Sequence, residues 1–393
     1  MRNTVYKFGG GCIGSGAEAI DNMERIAAFL LNKQAGLING IVVVVSAPAG
    51  LTDLLEGAAE LNPALSDTPE LDELLSQGEI ISTQLLLAAI NGAGGKATTL
   101  TGRDVIVTDD QYGNAAIVHV DISRIEEELA KGNIVIVAGF QGATPEGRVT
   151  TLGRGGSDTT AVALAEALGA ECVICKETKG IHTADPIIVL DAPVVRTMTF
   201  RELRESARNG AKVIAPSAAN LAEKGNVPIR VMPAFEAGEG TLISAERKGA
   251  TRTVTTITSA NHPLVRVSVA GNPQTISSTL RRLADRKVNV EDIAETDSSA
   301  TFTINERDLY RTKAVLRDCK NAKYRIMTGF GRVTIVGEAI ENTPGVAARM
   351  REALEKGGIE IQGSTSSDIT ISCLVHRHEV ERAIHALHAE FID

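Results

Sequence analysis

Residues 41–45 read Ile-Val-Val-Val-Val and residues 134–138 read Ile-Val-Ile-Val-Ala, two β-branched runs with no polar alternation. Strands of that texture are covered on both faces, which is the condition of a parallel sheet carrying helices on either side. Shorter strand-like segments stand at 5–8, 173–175 and 228–231. Helical spacing occupies 18–31, 72–90, 125–130, 158–168 and 200–209. The alternation of strand and helix over residues 1–245 predicts an α/β domain with a mainly parallel central sheet.

The texture changes after Gly240. Residues 246–260 begin polar and basic and read as a linker. Two units follow, at 261–328 and 329–393, each laid out as strand, Asn- and Pro-containing turn, helix, strand, strand. The first has strands at 265–269, 288–293 and 300–304 around a helix at 276–286. The second has strands at 333–336, 359–362 and 369–375 around a helix at 346–356, with a further helix at 379–388. Their spacing marks an internal repeat of small α+β sandwiches.

Composition removes several classes of function. The formal net charge is −9, aromatics are 3% and Trp is absent, which argues against a nucleic-acid partner held by field or by stacking. No apolar run approaches the ~20 residues needed to span a bilayer, so no membrane association is expected. The N-terminal MRNTVYKFGG lacks a basic-then-apolar layout, and the expected location is the cytoplasm. Five Cys in so long a chain make no disulfide framework. Cys172-x-x-Cys175 lies in a strand without a second pair, and His376-x-His378 and His385-x-x-His388 have no matching carboxylates, so no metal site is expected.

Chemistry concentrates in three segments. Lys7-Phe8-Gly9-Gly10-Gly11-Cys12 follows a strand; its glycines let the backbone approach a phosphate while the lysine supplies a point charge. Gly9, Gly11 and Gly14 also fit G-x-G-x-x-G, but the next strand ends in Ser-Ala-Pro without the ribose-holding acid of a dinucleotide site. A lysine ahead of the glycines is not a P-loop, and a plain strand-ending turn would read the same way. The second segment, Gly139-Phe140-Gln141-Gly142 with Thr150 to Thr160, offers Arg154 as a bidentate grip and the start of a helix for an anion, although Asp158 could simply cap that helix. The third holds Ser46 and Thr52 after a strand, and Glu79, a residue type that is usually solvated on a helix.

Together these segments resemble the aspartate kinase family. KFGG, SA…TD, GE, GFQG and TTLGRGGSDTTAVALAEALGA stand in its order, followed by GAKVIAP, NVPIRV and GTLI. The C-terminal pair resembles its two ACT domains, the second through TPGVAARMREAL, IEIQGSTSSDITISC and ALHAEF. The resemblance implies an amino-acid kinase fold followed by two ferredoxin-like ACT units, with transfer of the ATP γ-phosphoryl group to the side-chain carboxylate of L-aspartate or a similar amino acid. Lys7 and Lys212 would supply cations and Asp158 would organise them. Arg154 would hold the α-carboxylate and Glu79 the ammonium, with Ser46, Thr52 and Ser157 completing the pocket. Gly9, Gly10, Lys176, Glu177, His182 and Lys212 would meet the nucleotide, with Mg2+ carried on its phosphates. A homodimer or larger assembly through the ACT units is also implied.

The departures leave the substrate half largely intact, apart from one hydroxyl lost near the substrate, and fall mainly on the nucleotide half. KFGGTS becomes KFGGGC, and the family's Tyr-Thr-Asp-Val-Asp-Gly becomes Cys175-Lys176-Glu177-Thr178-Lys179-Gly180. The usual Tyr is His182, and the Arg after Asp-Pro is Ile187. The residues thus leave three readings open: an aspartate kinase, a paralogue acting on another carboxylate, and a catalytically weak ACT-containing subunit. Lys176 and Lys179 could face phosphates or could salt-bridge Glu177 and Glu171.

Overall fold

A computed structural model describes residues 3–36, 40–60, 62, 65, 68–211, 214–247, 252–260, 262–319 and 323–392. The chain divides into two compact units. The first comprises Met1–Ile181, Val194–Ala207 and Lys212–Ala250; the second comprises His182–Pro193, Arg208–Ala211 and Thr251–Asp393.

The first unit opens with β1 (Thr4–Phe8), α1 (Gly10–Ile13), α2 (Gly16–Gly36) and β2 (Ile41–Val45). There follow α3 (Leu51–Glu60), α4 (Pro69–Leu75), α5 (Gln77–Gly92), β3 (Ala97–Leu100), β4 (Ile106–Thr108) and β5 (Ile117–Val120). Next come α6 (Ser123–Ala130), β6 (Ile134–Ala138), β7 (Gln141–Ala143), β8 (Val149–Thr151), α7 (Gly156–Ala167) and β9 (Glu171–Lys176). The unit closes with β10 (Thr197–Thr199), α8 (Phe200–Arg208), α9 (Pro216–Gly225), β11 (Ile229–Pro233) and β12 (Thr241–Ser244).

Eight strands form the central sheet in the order β10-β12-β11-β9-β1-β2-β6-β3, parallel throughout except between β11 and β12. The β-branched runs explain themselves here. Val42, Val44, Val135 and Val137 enter one core with Ala161 and Leu164 of α7, while Val43, Val45, Ile134 and Ile136 enter the other with Ile26, Leu30 and Ile90. Each face is dry, so no polar alternation is tolerated.

Two features depart from the sequence reading. The helix expected at 72–90 is broken: Ser76 ends α4, its N–H donating to the Asp72 and Leu74 carbonyls and its hydroxyl to the Glu73 carbonyl, before α5 begins. A second sheet, β5-β4-β7-β8, stands beside the first. Its strands have three or four residues, too short for a period-2 signal.

The second unit contains β13 (Thr256–Ser259), β14 (Leu264–Ala270), α10 (Pro273–Asp285), β15 (Glu291–Thr296), β16 (Ser299–Asn305) and α11 (Leu309–Asp318). It continues with β17 (Lys323–Val336), α12 (Val346–Lys356), β18 (Gly363–Ser366), β19 (Thr370–His376) and α13 (Val380–Phe391). The sheet runs β15-β16-β14-β17-β19-β18, with β13 also pairing β17, and every pair is antiparallel. β17 belongs to both repeats: Lys323 to Phe330 pair with β14, and Phe330 to Val336 with β19. The boundary expected at 328/329 therefore falls inside one continuous strand, and the expected linker at 246–260 contains β13. Residues 182–193 join this unit because Ala184, Val189 and Ala192 bury in one core with Ile257, Val333 and Ile335.

The repeats share a helix ending that shifted the sequence reading in both. Lys287 and Gly358 take left-handed φ values of 56° and 65°, after which the Val288 and Ile359 N–H groups each donate at 3.0 Å to the carbonyls of Leu283 and Leu354. Val288 and Ile359 are buried caps, not strand starts. The paired strands begin later, at Glu291 and Gly363.

Candidate functional site

The carboxyl ends of β1, β2 and β6 open on a cavity of about 800 Å3, whose walls include Lys7, Ser46, Thr52, Glu79, Arg154 and Ser157. Gly10 also lines it. Ligands of open parallel sheets bind at these strand ends, and the residues singled out for the substrate all meet there.

Lys7, on β1, is 6% exposed, and its Nζ stands 2.6 Å from Asp158 Oδ1. Asp158 does not cap its helix. Gly155 is the N-cap of α7, at a left-handed φ of 74°, and a Cβ there would lie 2.2 Å from the Ala215 Cβ. With the cap position filled by glycine, the Asp158 carboxylate turns inward, where its Oδ2 also accepts the Ala215 N–H at 3.3 Å. Burial opposes its charge, but Lys7, Lys176 and these hydrogen bonds outweigh burial and hold the carboxyl below the usual range.

Glu79, on α5, is 3% exposed. Its Oε1 accepts the Ala47 N–H at 3.0 Å, while Oε2 is buried without a partner. Gly78 permits the approach, since a Cβ on it would stand 2.6 Å from the Ala47 Cβ. Burial pushes the Glu79 carboxyl up to about 7, against the Ala47 hydrogen bond and the more distant Lys7. Arg154 is exposed at the rim and makes no ion pair or hydrogen bond among the described residues. Ser46 donates its N–H to the Phe8 carbonyl at 3.1 Å.

One contributor escaped the sequence reading, and a second was named there only as part of a motif. Asp72, 1% exposed, accepts the Thr151 N–H at 2.7 Å, the Thr151 hydroxyl at 2.9 Å and the Gly113 N–H. It thereby anchors the strand that delivers Arg154; its only trace in the sequence is an acid three residues before Leu75 on a buried stripe. Phe140 holds a φ of 69°, unusual for a bulky residue. Its N–H donates to Thr160 Oγ1 and its carbonyl accepts the Leu152 N–H, which turns the ring into the cavity wall.

The residues expected at the nucleotide are dispersed. β9 lies parallel beside β1 with Cys175 level with Phe8, so Lys176 and Glu177 emerge next to the glycine turn. A Cβ on Gly11 would meet Glu177 Oε1 at 1.7 Å, so the Glu177 carboxylate occupies the space of the missing side chain. His182 belongs to the second unit, where its Nδ1 lies 2.7 Å from the Ala192 carbonyl. Lys212 lies outside the described residues. Burial pushes the Cys12 thiol up to about 12 and those of Cys172 and Cys175 higher still, so all three stay protonated and inert. Among the described residues no helix is long and apolar enough to cross a membrane.

Comparison with known proteins places this geometry. Residues 2–233 match the amino acid kinase family model and residues 333–391 an ACT domain model. The chain is 37% identical to an aspartokinase of Geobacillus stearothermophilus, across 98% of this chain and 96% of that protein. It is 38% identical to an aspartokinase of Corynebacterium glutamicum, across 100% and 96%. Its fold superposes on Escherichia coli aspartokinase III in complex with aspartate and ADP with a TM-score of 0.79, at 26% identity and complete coverage of both chains.

Proposed function

This chain belongs to the amino acid kinase family, among the aspartokinases, and on that premise we propose that it transfers the ATP γ-phosphoryl group to the side-chain carboxylate of L-aspartate. The products are 4-phospho-L-aspartate and ADP. The observation that carries this reading is the charge layout of the cavity: an unpaired Arg154, the free Glu79 Oε2 and the buried Lys7–Asp158 pair. An α-amino acid with a second carboxylate has the complementary charges. Arg154 takes the α-carboxylate in a planar grip, Glu79 takes the ammonium, and Ser46, Thr52 and Ser157 fix the remaining contacts.

The nucleophile is already ionised at neutral pH, so no side-chain base is needed. The obstacle is the meeting of two anions, and cations and N–H donors around the transferring group lower it. Lys7, held by Asp158, points at that group; the Gly9 and Gly10 backbone, Lys176, Glu177 and Lys212 complete the nucleotide side. ATP enters as its magnesium complex. Among the described residues no three Asp, Glu, His or Cys side chains gather to hold an ion, and we assign the ligands of Mg2+ to phosphate oxygens and water. We assign catalysis to the first unit and regulation to the two ACT repeats of the second, which share β17. The enzyme is expected to work in the cytoplasm, where ATP and aspartate meet.

Incubation with aspartate, ATP and hydroxylamine tests the reading by trapping the acyl phosphate as a hydroxamate. Hydroxamate dependent on both substrates is expected. Hydroxamate from a different amino acid alone would reassign the acceptor, and none from any acceptor would leave a regulatory subunit.

A further inference from the structure

Two lysines replace uncharged or acidic residues in the 175–180 segment, and the structure separates them. Lys179 is a surface group: its side chain is 67% exposed and its Nζ lies 4.0 Å from Glu236, itself 63% exposed. Such a pair contributes little. Glu171, the other acid within reach in the sequence, is taken by Arg230 at 3.1 Å. Lys176 differs on each count. It is half-buried at the end of β9, one residue beyond the Cys175–Phe8 register, beside the glycine turn. Its ammonium makes no hydrogen bond or ion pair among the described residues. The nearby Asp158 carboxylate is committed to Lys7 and to the Ala215 N–H, and Glu177 is drawn over Gly11. A cation withdrawn from water without an anion is costly to keep. Burial, then Lys7, depress its pKa, against the attraction of Asp158 and Glu177.

We infer that Lys176 is a phosphate-binding residue of the transfer site, its ammonium holding the terminal phosphate oxygens of the donor in the company of Lys7. This rests on the kinase reading and deepens it. As the aspartate carboxylate oxygen bonds to the γ-phosphorus, the bond from that phosphorus to the β,γ-bridging oxygen breaks. ADP then leaves with the electron pair. Lys176 neutralises charge on the oxygens through this exchange and gives up no proton.

The test uses the full chain and its Lys176→Met, Lys176→Arg and Lys179→Met variants. Inorganic triphosphate with Mg2+ is titrated by calorimetry, and kcat and KM for ATP and aspartate are followed against pH. Lys176→Met should weaken triphosphate binding by about ten- to a hundredfold and lower kcat/KM for ATP at least as much. The aspartate KM should stay within about threefold, and Lys179→Met should match the parent. Lys176→Arg should retain binding and should move the alkaline limb of kcat/KM for ATP upward, because guanidinium keeps its proton. Triphosphate binding by Lys176→Met equal to the parent's, no binding by the parent, or an unmoved alkaline limb in Lys176→Arg would each overturn the inference. The calorimetric arm needs no acceptor, so it reads Lys176 even if the aspartate assay fails.

Discussion

Asp72 and Thr151 are joined twice, the Asp72 carboxylate accepting the Thr151 N–H at 2.7 Å and its hydroxyl at 2.9 Å. The contact ties a helix to the strand that runs on into Arg154. Asp72→Ala leaves two backbone N–H groups and a hydroxyl without their acceptor, and should cost about 3 kcal/mol of unfolding free energy. Thermal unfolding with steady-state kinetics checks this. The aspartate KM should rise well beyond the ATP KM, and equal rises would mean that Asp72 supports the whole fold instead of the Arg154 loop.

Glu79 should set the pH dependence of aspartate use. Its carboxyl is raised to about 7, so below that pH it is neutral and cannot hold an ammonium. The kcat/KM for aspartate should climb as pH rises through about 7 and then level, and Glu79→Gln should erase that step.

The same shift is a statement about stability. A carboxyl whose pKa is higher in the fold than in the unfolded chain stabilises fully below the unfolded value, and that contribution is lost as pH rises through about 7. Glu79→Gln should therefore be more stable than the parent at pH 8, by about 3 kcal/mol at most, with the gap closing toward pH 5. Denaturant midpoints at the two pH values measure it.

Lys7→Ala and Asp158→Ala should each abolish turnover with the fold intact, because each removes a charge from a buried pair facing the transferring group. Residual kcat within tenfold of the parent in either variant refutes their roles. Arg154→Lys should instead raise the aspartate KM steeply while sparing ATP, since an ammonium cannot reproduce a planar grip.

Assembly should run through the second unit. β15 and β18 are edge strands, and all four residues of β18 are exposed. Open edges invite pairing with another copy. Light scattering at micromolar concentration should return a dimer or larger species.

Legibility in the sequence followed the physics of burial. β2, β6 and α12 were readable to the residue, because two-sided burial or a Pro-Gly entry leaves one interpretation. Lys7, Glu79 and Arg154 stand out through their motifs and meet at one cavity, with Asp158 paired to Lys7. Asp72 was not: its partners at Gly113 and Thr151 lie far along the chain, and nothing local distinguishes it from a solvated helix acid. The choice between Lys176 and Lys179 was equally closed, since nothing in the sequence separates a half-buried lysine at a strand end from one 67% exposed on the turn beyond it. Val288 and Ile359 misled for a better reason. An apolar residue that closes a helix and one that opens a strand have the same composition.

β17 runs unbroken from Lys323 to Val336, and its two halves serve different repeats. Its middle carries a joint: Gly329 takes a left-handed φ of 86°, and the register against β14 shifts there. Phe330 stands level with Leu264 of β14 on one side and His376 of β19 on the other, so tilt or sliding of either neighbour meets the same stretch of backbone. The two repeats therefore share one backbone across a jointed strand, and the joint at Gly329 is where a displacement of one is either passed to the other or absorbed.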